Sequence, residues 1–374
     1  MFRSFRLFKL AGIPVYIHWT FFLLIAFVIF QSISASESMI QLGFELLVLL
    51  SVFACVTMHE YGHALTAKRY GVSTQDIILS PIGGVARLNH LPEKPKHELF
   101  VAIAGPLVNV AIILLILLTV FVFYPADSFN PGFESISASN FFENYLFALQ
   151  YINVMLVLFN LIPAFPMDGG RVLRSLLAMK LGRLKATRIA AFIGQGIAVI
   201  FIVSAIFKYP ILGRPVSTVE QFTLSIIGLF VFSMARAELN TVTAENKVNT
   251  IKASDLMVRQ FTHLYNTDST DFAVSQHNAG IERDFLVFTP DNQVIGTLNN
   301  EIIQFIASRG ITGLVASYYT PMPTTLTPDE PLKSIAGKTS NLPTQLFPVL
   351  ENDKVVGVVY KRAVEQQLKE IFRT

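Results

Sequence analysis

Long runs of apolar residues constrain the fold of this chain more than any other feature. Hydrophobic residues make up 52% of its 374 residues and charged residues only 15%, and the mean hydropathy is +0.52. A run of about 20 apolar residues can cross the hydrocarbon core of a bilayer as a helix. We therefore predict an α-helical polytopic membrane protein. The six predicted transmembrane helices are 15–33, 42–63, 99–123, 145–166, 189–207 and 222–235, the last extended by 216–221.

The basic residues are unevenly distributed between the loops that join these spans. With a cytoplasmic N-terminus, the inner segments contain 14 basic residues, whereas the outer loops contain only Lys208 and Arg214. An excess of basic residues is typical of the loops on the cytoplasmic side of a membrane. We therefore predict a multi-pass membrane protein with both termini in the cytoplasm. The net charge of only +3 does not indicate nucleic-acid binding. The inner basic residues are Arg3, Arg6, Lys9, Lys68, Arg69, Arg87, Lys94, Lys96, Arg171, Arg174, Lys180, Arg183, Lys185 and Arg188.

An H-E-x-x-H pattern, formed by His59, Glu60 and His63, ends the second predicted span. Residues four apart lie on one face of a helix, so both imidazoles can bind the same zinc ion. Glu60 then lies near the ion, where it can accept a proton from a bound water. The alternative is that a helix end merely extends these side chains to the membrane interface. Ionisable groups at this depth are costly without partners or a function, which favours the metal site.

Asp168 is the best candidate for a third ligand. Cys55 is the only cysteine, which excludes an intramolecular disulfide and any cysteine-based zinc site. Pro163 and Pro166 cannot both lie in a regular helix, so the fourth span must unwind just before Asp168. Irregular backbone at membrane depth is tolerated where it lines a cavity or packs within protein. The alternative is that Asp168 only caps a helix that begins near Gly169.

A short β-hairpin is predicted between the second and third spans. Residues 77–86 are apolar and form two strand-like segments with a turn near 81–84. The hairpin either associates with the membrane part beside the site or is a simple cytosolic hairpin, and the residues do not decide between these alternatives.

The composition becomes that of a soluble protein near residue 237. A strand–turn–strand pattern at 285–296, followed by a helical stretch at 299–307, recurs at 346–357 with a helical stretch at 361–372. Two β-β-α units predict a pseudo-symmetric cytosolic α/β pair. We therefore divide the chain into a six-span domain at 1–238, a linker at 239–251 and a tail at 252–374.

The membrane part resembles the site-2 protease family of intramembrane zinc metalloproteases. The resemblance rests on H-E-x-x-H at 59–63 and on N-x-x-P-x-x-P-x-D-G at 160–169, with Gly105-Pro106 and Asn109 between them. It covers about residues 1–238. Its layout is similar to the bacterial and archaeal branch that includes the protease of sporulation sigma-factor processing, and this resemblance implies a location in a prokaryotic cell membrane.

The resemblance implies a zinc metalloendopeptidase that performs regulated intramembrane proteolysis with one Zn²⁺ per chain. It implies zinc ligands at His59, His63 and Asp168. It also implies that Glu60 activates the attacking water and that Asn160 binds the substrate backbone or the oxyanion. The substrate would be a single-span membrane protein, for example an anti-sigma or pro-sigma type factor, unwound in the bilayer against the hairpin edge. The substrate-binding residues that it implies are Ile82, Gly83, Gly84 and Pro163.

The tail resembles a tandem cystathionine-β-synthase (CBS) domain pair, a fold that often senses adenine nucleotides. The ribose-binding Ser/Thr and Asp of that family are replaced by Asn299 and Ile302 in the first unit and by Tyr360 and Ala363 in the second. Nucleotide binding, docking and homodimerisation therefore remain alternatives for the tail. The alternative for the whole chain is a membrane transporter, channel or non-enzymatic scaffold with a CBS sensing module.

Overall fold

The chain forms two compact units, Met1–Leu239 and Asn240–Thr374, in the computed structural model of the protein. The structure describes residues 4–81, 83–90, 92, 94–124, 136–208, 217–280, 282–322 and 324–372. The helices that begin in the first unit are α1 (Thr20–Ser34), α2 (Met39–Arg69), α3 (Pro95–Phe123), α4 (Phe141–Asn160), α5 (Asp168–Leu181), α6 (Arg183–Phe207) and α7 (Thr218–Thr250). Its strands are β1 (Ser4–Leu10), β2 (Ile13–His18), β3 (Thr74–Ser80) and β4 (Gly83–Leu88).

The four strands form one sheet in the order β1-β2-β3-β4. β2 pairs parallel with β3, with Val15 opposite Ile77, while the two outer pairs are antiparallel. Alternate residues of β2 are buried, as expected for a strand with one face on a core. Val15 and Ile77 pack there with Phe21 of α1 and Tyr61 of α2. The sheet is thereby attached to the helix that carries the H-E-x-x-H pattern.

The first predicted span is wrong in its N-terminal part. Residues 15–18 belong to β2, and α1 has only 15 residues. Within the described ranges, five helices are long and apolar enough to cross a membrane, namely α2, α3, α4, α6 and α7. The apolar residues of β2 are buried by pairing with β3, which comes about 60 residues later in the chain. The strands expected within 77–86 are present as β3 and β4, but they belong to the larger sheet.

The fourth span is interrupted where the prolines predict a break. α4 ends at Asn160, residues 161–167 are not helical, and α5 begins at Asp168. The two glycines after Asp168 allow the chain to turn back closely. A Cβ on Gly169 would lie 2.3 Å from the carbonyl oxygens of Leu161 and Ile162, and this distance is too short for any residue with a side chain. The break and the glycines together place Asp168 at the start of a helix beside the unwound segment.

The second unit contains the two predicted strand–strand–helix repeats. The first repeat is confirmed as β6 (Phe285–Phe288), β7 (Val294–Leu298) and α10 (Asn300–Arg309), and the second as β9 (Leu346–Glu351), β10 (Lys354–Tyr360) and α12 (Lys361–Phe372). The segment expected as a linker is helical up to Thr250 and belongs to α7. The second unit also contains α8 (Ala253–Leu256), β5 (His263–Tyr265), α9 (Thr270–Asn278), a 3-10 helix (Val315–Ser317), β8 (Thr320–Pro321) and α11 (Leu332–Thr339).

Candidate metal centre

Three residues with potential ligand side chains converge in the first unit, and each residue is at most 7% exposed. His59 and His63 lie one turn apart on α2, and Asp168 begins α5. The Nε2 atoms of the two histidines lie 3.1 Å from each other. Asp168 Oδ2 lies 3.1 Å from His59 Nε2 and 3.0 Å from His63 Nε2. The helical spacing of the two histidines and the break before α5 therefore place Asp168 beside two residues that precede it by more than 100 positions in the chain.

The other ring nitrogens of the two histidines face hydrogen-bond acceptors. His63 Nδ1 lies 2.7 Å from the carbonyl oxygen of Val101, and His59 Nδ1 lies 2.5 Å from Oδ1 of Asn109. Carbonyl oxygens only accept hydrogen bonds, so each Nδ1 carries the proton and donates it. In the neutral form of each ring, Nε2 then presents a lone pair. Two lone pairs and a carboxylate oxygen that face one another repel each other, and a cation bound between them would remove this repulsion.

The dimensions of this cluster suit zinc. Zinc bonds of about 2.0–2.1 Å in tetrahedral geometry separate the ligand atoms by about 3.3–3.4 Å, close to the observed 3.0–3.1 Å. Two imidazoles and one carboxylate with an open fourth position form a common donor set for a catalytic zinc site. Gly105 of α3 provides the space, since a Cβ there would lie 2.2 Å from His63 Nε2 and 2.7 Å from His59 Nε2. The residues present therefore fit the metal.

Glu60 lies at the boundary between the metal centre and a neighbouring cavity. Its Oε2 accepts a hydrogen bond from the backbone N–H of Ala86 in β4 at 3.0 Å. The carboxylate of this α2 residue is therefore fixed by a hydrogen bond from the sheet. The cavity has a volume of about 400 Å³. Its lining residues are Val56, His59, Glu60, Ser80, Gly83, Gly84, Val85, Leu156, Asn160, Pro166, Met167, Phe230 and Met234.

Some of the predicted substrate-binding residues line this cavity and others do not. Gly83, Gly84 and Asn160 are in its wall, and Asn160 Nδ2 also donates to the carbonyl oxygen of Leu156 at 2.9 Å. Pro163 is exposed, and the cavity is lined instead by Pro166 from the same unwound segment. Ile82 lies outside the described residues. The role of Pro163 remains a prediction.

Sequence reasoning missed the apolar part of the wall and the polar support of the histidines. Leu156, Phe230 and Met234 have no motif that separates them from other residues of apolar helices. Asn109 and Asn153 are polar residues within apolar spans, and that signal could have identified them as partners of a buried site.

Comparison with known proteins places these residues in a family. The model of peptidase family M50 matches residues 47–204. A zinc metalloprotease of Methanocaldococcus jannaschii is 33% identical over 370 residues, which span 96% of this chain and 94% of that relative. This chain belongs to peptidase family M50. The family of site-2 proteases inferred from the motifs is thereby confirmed, and the M50 peptidase is a metalloprotease rather than a transporter, channel or scaffold.

Membership of the family implies zinc as the metal of this M50 peptidase. Among solved structures, the site-2 protease from Methanocaldococcus jannaschii is 36% identical with a TM-score of 0.45, covering 63% of this chain and 95% of that chain. A CBS domain pair solved with 5′-methylthioadenosine and S-adenosyl-L-methionine is 16% identical with a TM-score of 0.30. That likeness covers 32% of this chain and 98% of the CBS pair.

Proposed function

We propose that this M50 peptidase is an intramembrane protease that hydrolyses peptide bonds in or near the transmembrane segment of a single-span membrane protein. The observation that carries the proposal is the cluster of His59, His63 and Asp168 on two helices of a multi-pass protein, with all three side chains buried. Cytoplasmic termini, indicated by the basic loops, would place the site toward the cytoplasmic side and release a cytosolic fragment.

One Zn²⁺ per chain would be held by His59, His63 and Asp168. Bound there, zinc would lower the pKa of a water molecule toward about 7 and polarise the scissile carbonyl. The protein residues orient these ligands and exclude bulk water. The Nδ1–H groups of both histidines are already engaged, which leaves the Nε2 lone pairs directed at the ion.

Glu60 would act as the general base and later protonate the leaving amine. It follows His59 directly in α2 and lines the cavity, so its carboxylate can reach the attacking water. Asn160 lines the same cavity. One of its two amide protons is used by the carbonyl oxygen of Leu156, and the other would donate to the oxyanion or to the substrate backbone.

The substrate would bind in an extended conformation along β4. This strand is at the end of the sheet order, and its residues Gly83 and Gly84 line the cavity beside Glu60. A helical substrate conceals its peptide bonds, so it must unwind before hydrolysis. Pairing with a sheet edge would replace the backbone hydrogen bonds that the substrate loses within the bilayer.

The tail would control the protease through α7. Phe230 and Met234 of this helix line the cavity, while Ala244 and Val248 of the same helix pack into the core of the second unit. An adenine nucleotide or a second copy of the tail would then change the cavity wall. Titration of the full-length protein with AMP and ATP tests the nucleotide alternative. Binding with a changed cleavage rate supports it, and the absence of binding argues for dimerisation or docking.

The protease activity is tested with full-length protein in detergent and single-span membrane proteins as substrates. We expect Glu60→Gln to abolish cleavage while the zinc content stays near one per chain, because the base is lost and the ligands remain. Glu45→Gln is the matched control, since Glu45 lies at the other end of the same helix and its carboxylate accepts from Gln41 Nε2. A soluble peptide with the same scissile sequence separates intramembrane proteolysis from general proteolysis. Cleavage that survives Glu60→Gln would contradict the proposal.

A further inference from the structure

A chain of buried amides leads from the backbone of α4 to the metal centre. Asn153 Nδ2 donates to the carbonyl oxygen of Leu149 at 2.8 Å, and Asn109 Nδ2 donates to Asn153 Oδ1 at 2.9 Å. Asn109 Oδ1 then lies 2.5 Å from His59 Nδ1. Both asparagines are fully buried. The chain therefore connects three helices, α4, α3 and α2, through polar groups without exposure to solvent.

The orientation of every amide in this chain is determined by its neighbours. The Leu149 carbonyl can only accept, so Asn153 must present its NH₂ group there and its oxygen to Asn109. Asn109 must then present its own NH₂ group to Asn153 and its oxygen to the imidazole. As a result, His59 Nδ1 faces an acceptor and must carry the proton.

We propose that Asn109 and Asn153 form an amide relay that positions His59 for zinc. The relay keeps the His59 ring in the Nδ1-protonated tautomer and in a single rotational orientation, so that the Nε2 lone pair faces the ion. Partners of this kind orient metal-ligating histidines in many proteins. The proposal rests on the zinc site proposed above and assigns positioning roles to two residues outside it.

The two histidines differ in how they are held, and this difference makes the relay testable. His63 Nδ1 donates to the backbone carbonyl of Val101, which no side-chain substitution removes. His59 depends instead on a side chain that is itself supported by a second side chain. Substitutions in the relay should therefore weaken one ligand while the other keeps its orientation.

Zinc affinity of the full-length protein in detergent, measured by competition with a chelator, tests the relay without requiring a substrate. We expect Asn109→Leu, which removes the acceptor at similar volume, to weaken zinc binding by about 10- to 100-fold. Asn153→Leu should weaken binding in the same direction but by less, because it acts through Asn109. Asn109→Asp restores an acceptor for His59 and should bind zinc more tightly than Asn109→Leu. The ligand-field spectrum of bound Co²⁺ should change in Asn109→Leu.

Asn144→Leu is the matched control, because Asn144 is also a fully buried asparagine of α4. Its Nδ2 donates to the carbonyl oxygen of Asn140 at 3.0 Å, and it lies nine residues before Asn153 in the same helix. We expect wild-type zinc affinity from this variant. Thermal unfolding of each metal-free variant separates a loss of folding from a loss of zinc, and Asn153→Leu reports on the relay if Asn109→Leu does not fold.

Three outcomes would overturn the relay. The first is zinc affinity and a Co²⁺ spectrum unchanged in Asn109→Leu. The second is an Asn144→Leu variant that loses as much zinc affinity as Asn109→Leu, which would show a general effect of removing buried amides. The third is wild-type protein that binds no zinc, in which case the proposed function fails first and the relay fails with it.

Discussion

Arg174 of α5 donates a hydrogen bond from Nε to Oε1 of Glu98 in α3 at 2.8 Å, and both side chains are buried. The same guanidinium pairs with Glu238 of α7 and lies over the ring of Phe165, 5.0 Å from its centroid. Since α5 begins with Asp168, and α3 provides the hydrogen-bond partners of the two imidazoles, the ion pair joins a helix that carries one ligand to the helix that supports the other two. Phe165 belongs to the unwound segment between α4 and α5.

Replacement of Arg174 by Met is expected to destabilise the protein by about 3–5 kcal/mol, because it leaves buried carboxylates without a cation. Denaturant unfolding in one fixed detergent measures the change. Arg171→Met is the control on the same helix. Arg171 is only half-buried, and its loss should cost no more than about 0.5 kcal/mol.

Adding Glu98→Gln to Arg174→Met should recover part of the lost stability, since it removes one of the unpaired charges. A double variant that is less stable than Arg174→Met alone would indicate that packing, rather than charge, explains the effect. Equal stabilities of the Arg174→Met and Arg171→Met variants would show that the ion pair contributes nothing.

Two parts of the metal centre could be predicted from the sequence because the geometry of each part is local. The spacing of His59 and His63 follows from the pitch of one helix, and the prolines before Asp168 predict the break in α4 by themselves. Local rules also predicted the two strand–strand–helix repeats of the tail. Each of these features depends on residues that are close together in the chain.

Features that depend on distant residues could not be predicted in this way. The segment before α1 was assigned to a transmembrane span because it is apolar. It forms a strand instead, because it pairs in parallel with β3, and that pairing has no local signal in the sequence. Contacts between helices place Asn109 beside His59 and Phe230 beside the cavity, and the chain contains many similar residues on apolar helices. The length of α7 was missed because its polar second half has the composition of a linker.

Gly105→Ala is expected to abolish zinc binding and proteolysis. The added Cβ would lie 2.2 Å from His63 Nε2 and 2.7 Å from His59 Nε2, so at least one imidazole must leave its position. Metal content of the purified protein, together with cleavage of a membrane substrate, measures the effect. Gly196→Ala in α6 is the control, because no atom lies within 4 Å of a Cβ at that position. Full zinc content in Gly105→Ala would contradict the positions of the two histidines.

Gly84→Ala is expected to lower kcat while zinc binding is retained. Its Cβ would lie 2.9 Å from Cγ of Glu60 and 2.8 Å from Cγ1 of Val56, so the side chain of the base must shift, whereas the ligands are not touched. Displacement of a catalytic group by about 1 Å can cost about 100-fold in rate. Gly43→Ala at the other end of α2, where a Cβ meets no atom within 4 Å, should leave kcat unchanged. Loss of zinc in Gly84→Ala would point to a wider disturbance than a shift of Glu60.

The tail is expected to lose stability in acid because Glu330 becomes protonated. Glu330 is a buried residue that lies two positions before the start of α11. Burial alone would raise its pKa, but Lys338 Nζ at 2.7 Å and the Ser334 hydroxyl at 2.5 Å hold the pKa of this carboxyl below its ordinary value. A lowered folded-state pKa stabilises the protein above the unfolded pKa of about 4.3, and this contribution is lost as the pH falls through the folded value.

Hydrogen exchange of residues 327–339 in the full-length protein at pH 7 and pH 3, corrected for the intrinsic pH dependence of exchange, measures this loss. Lys338→Met should make the segment less protected at pH 7 and reduce the further loss on acidification, because the pKa of Glu330 then moves up toward its ordinary value. Lys333→Met, at an exposed lysine of the same helix, should retain the wild-type pH dependence. If Lys338→Met keeps the full loss of protection between the two pH values, another group must be responsible for the acid sensitivity of this segment.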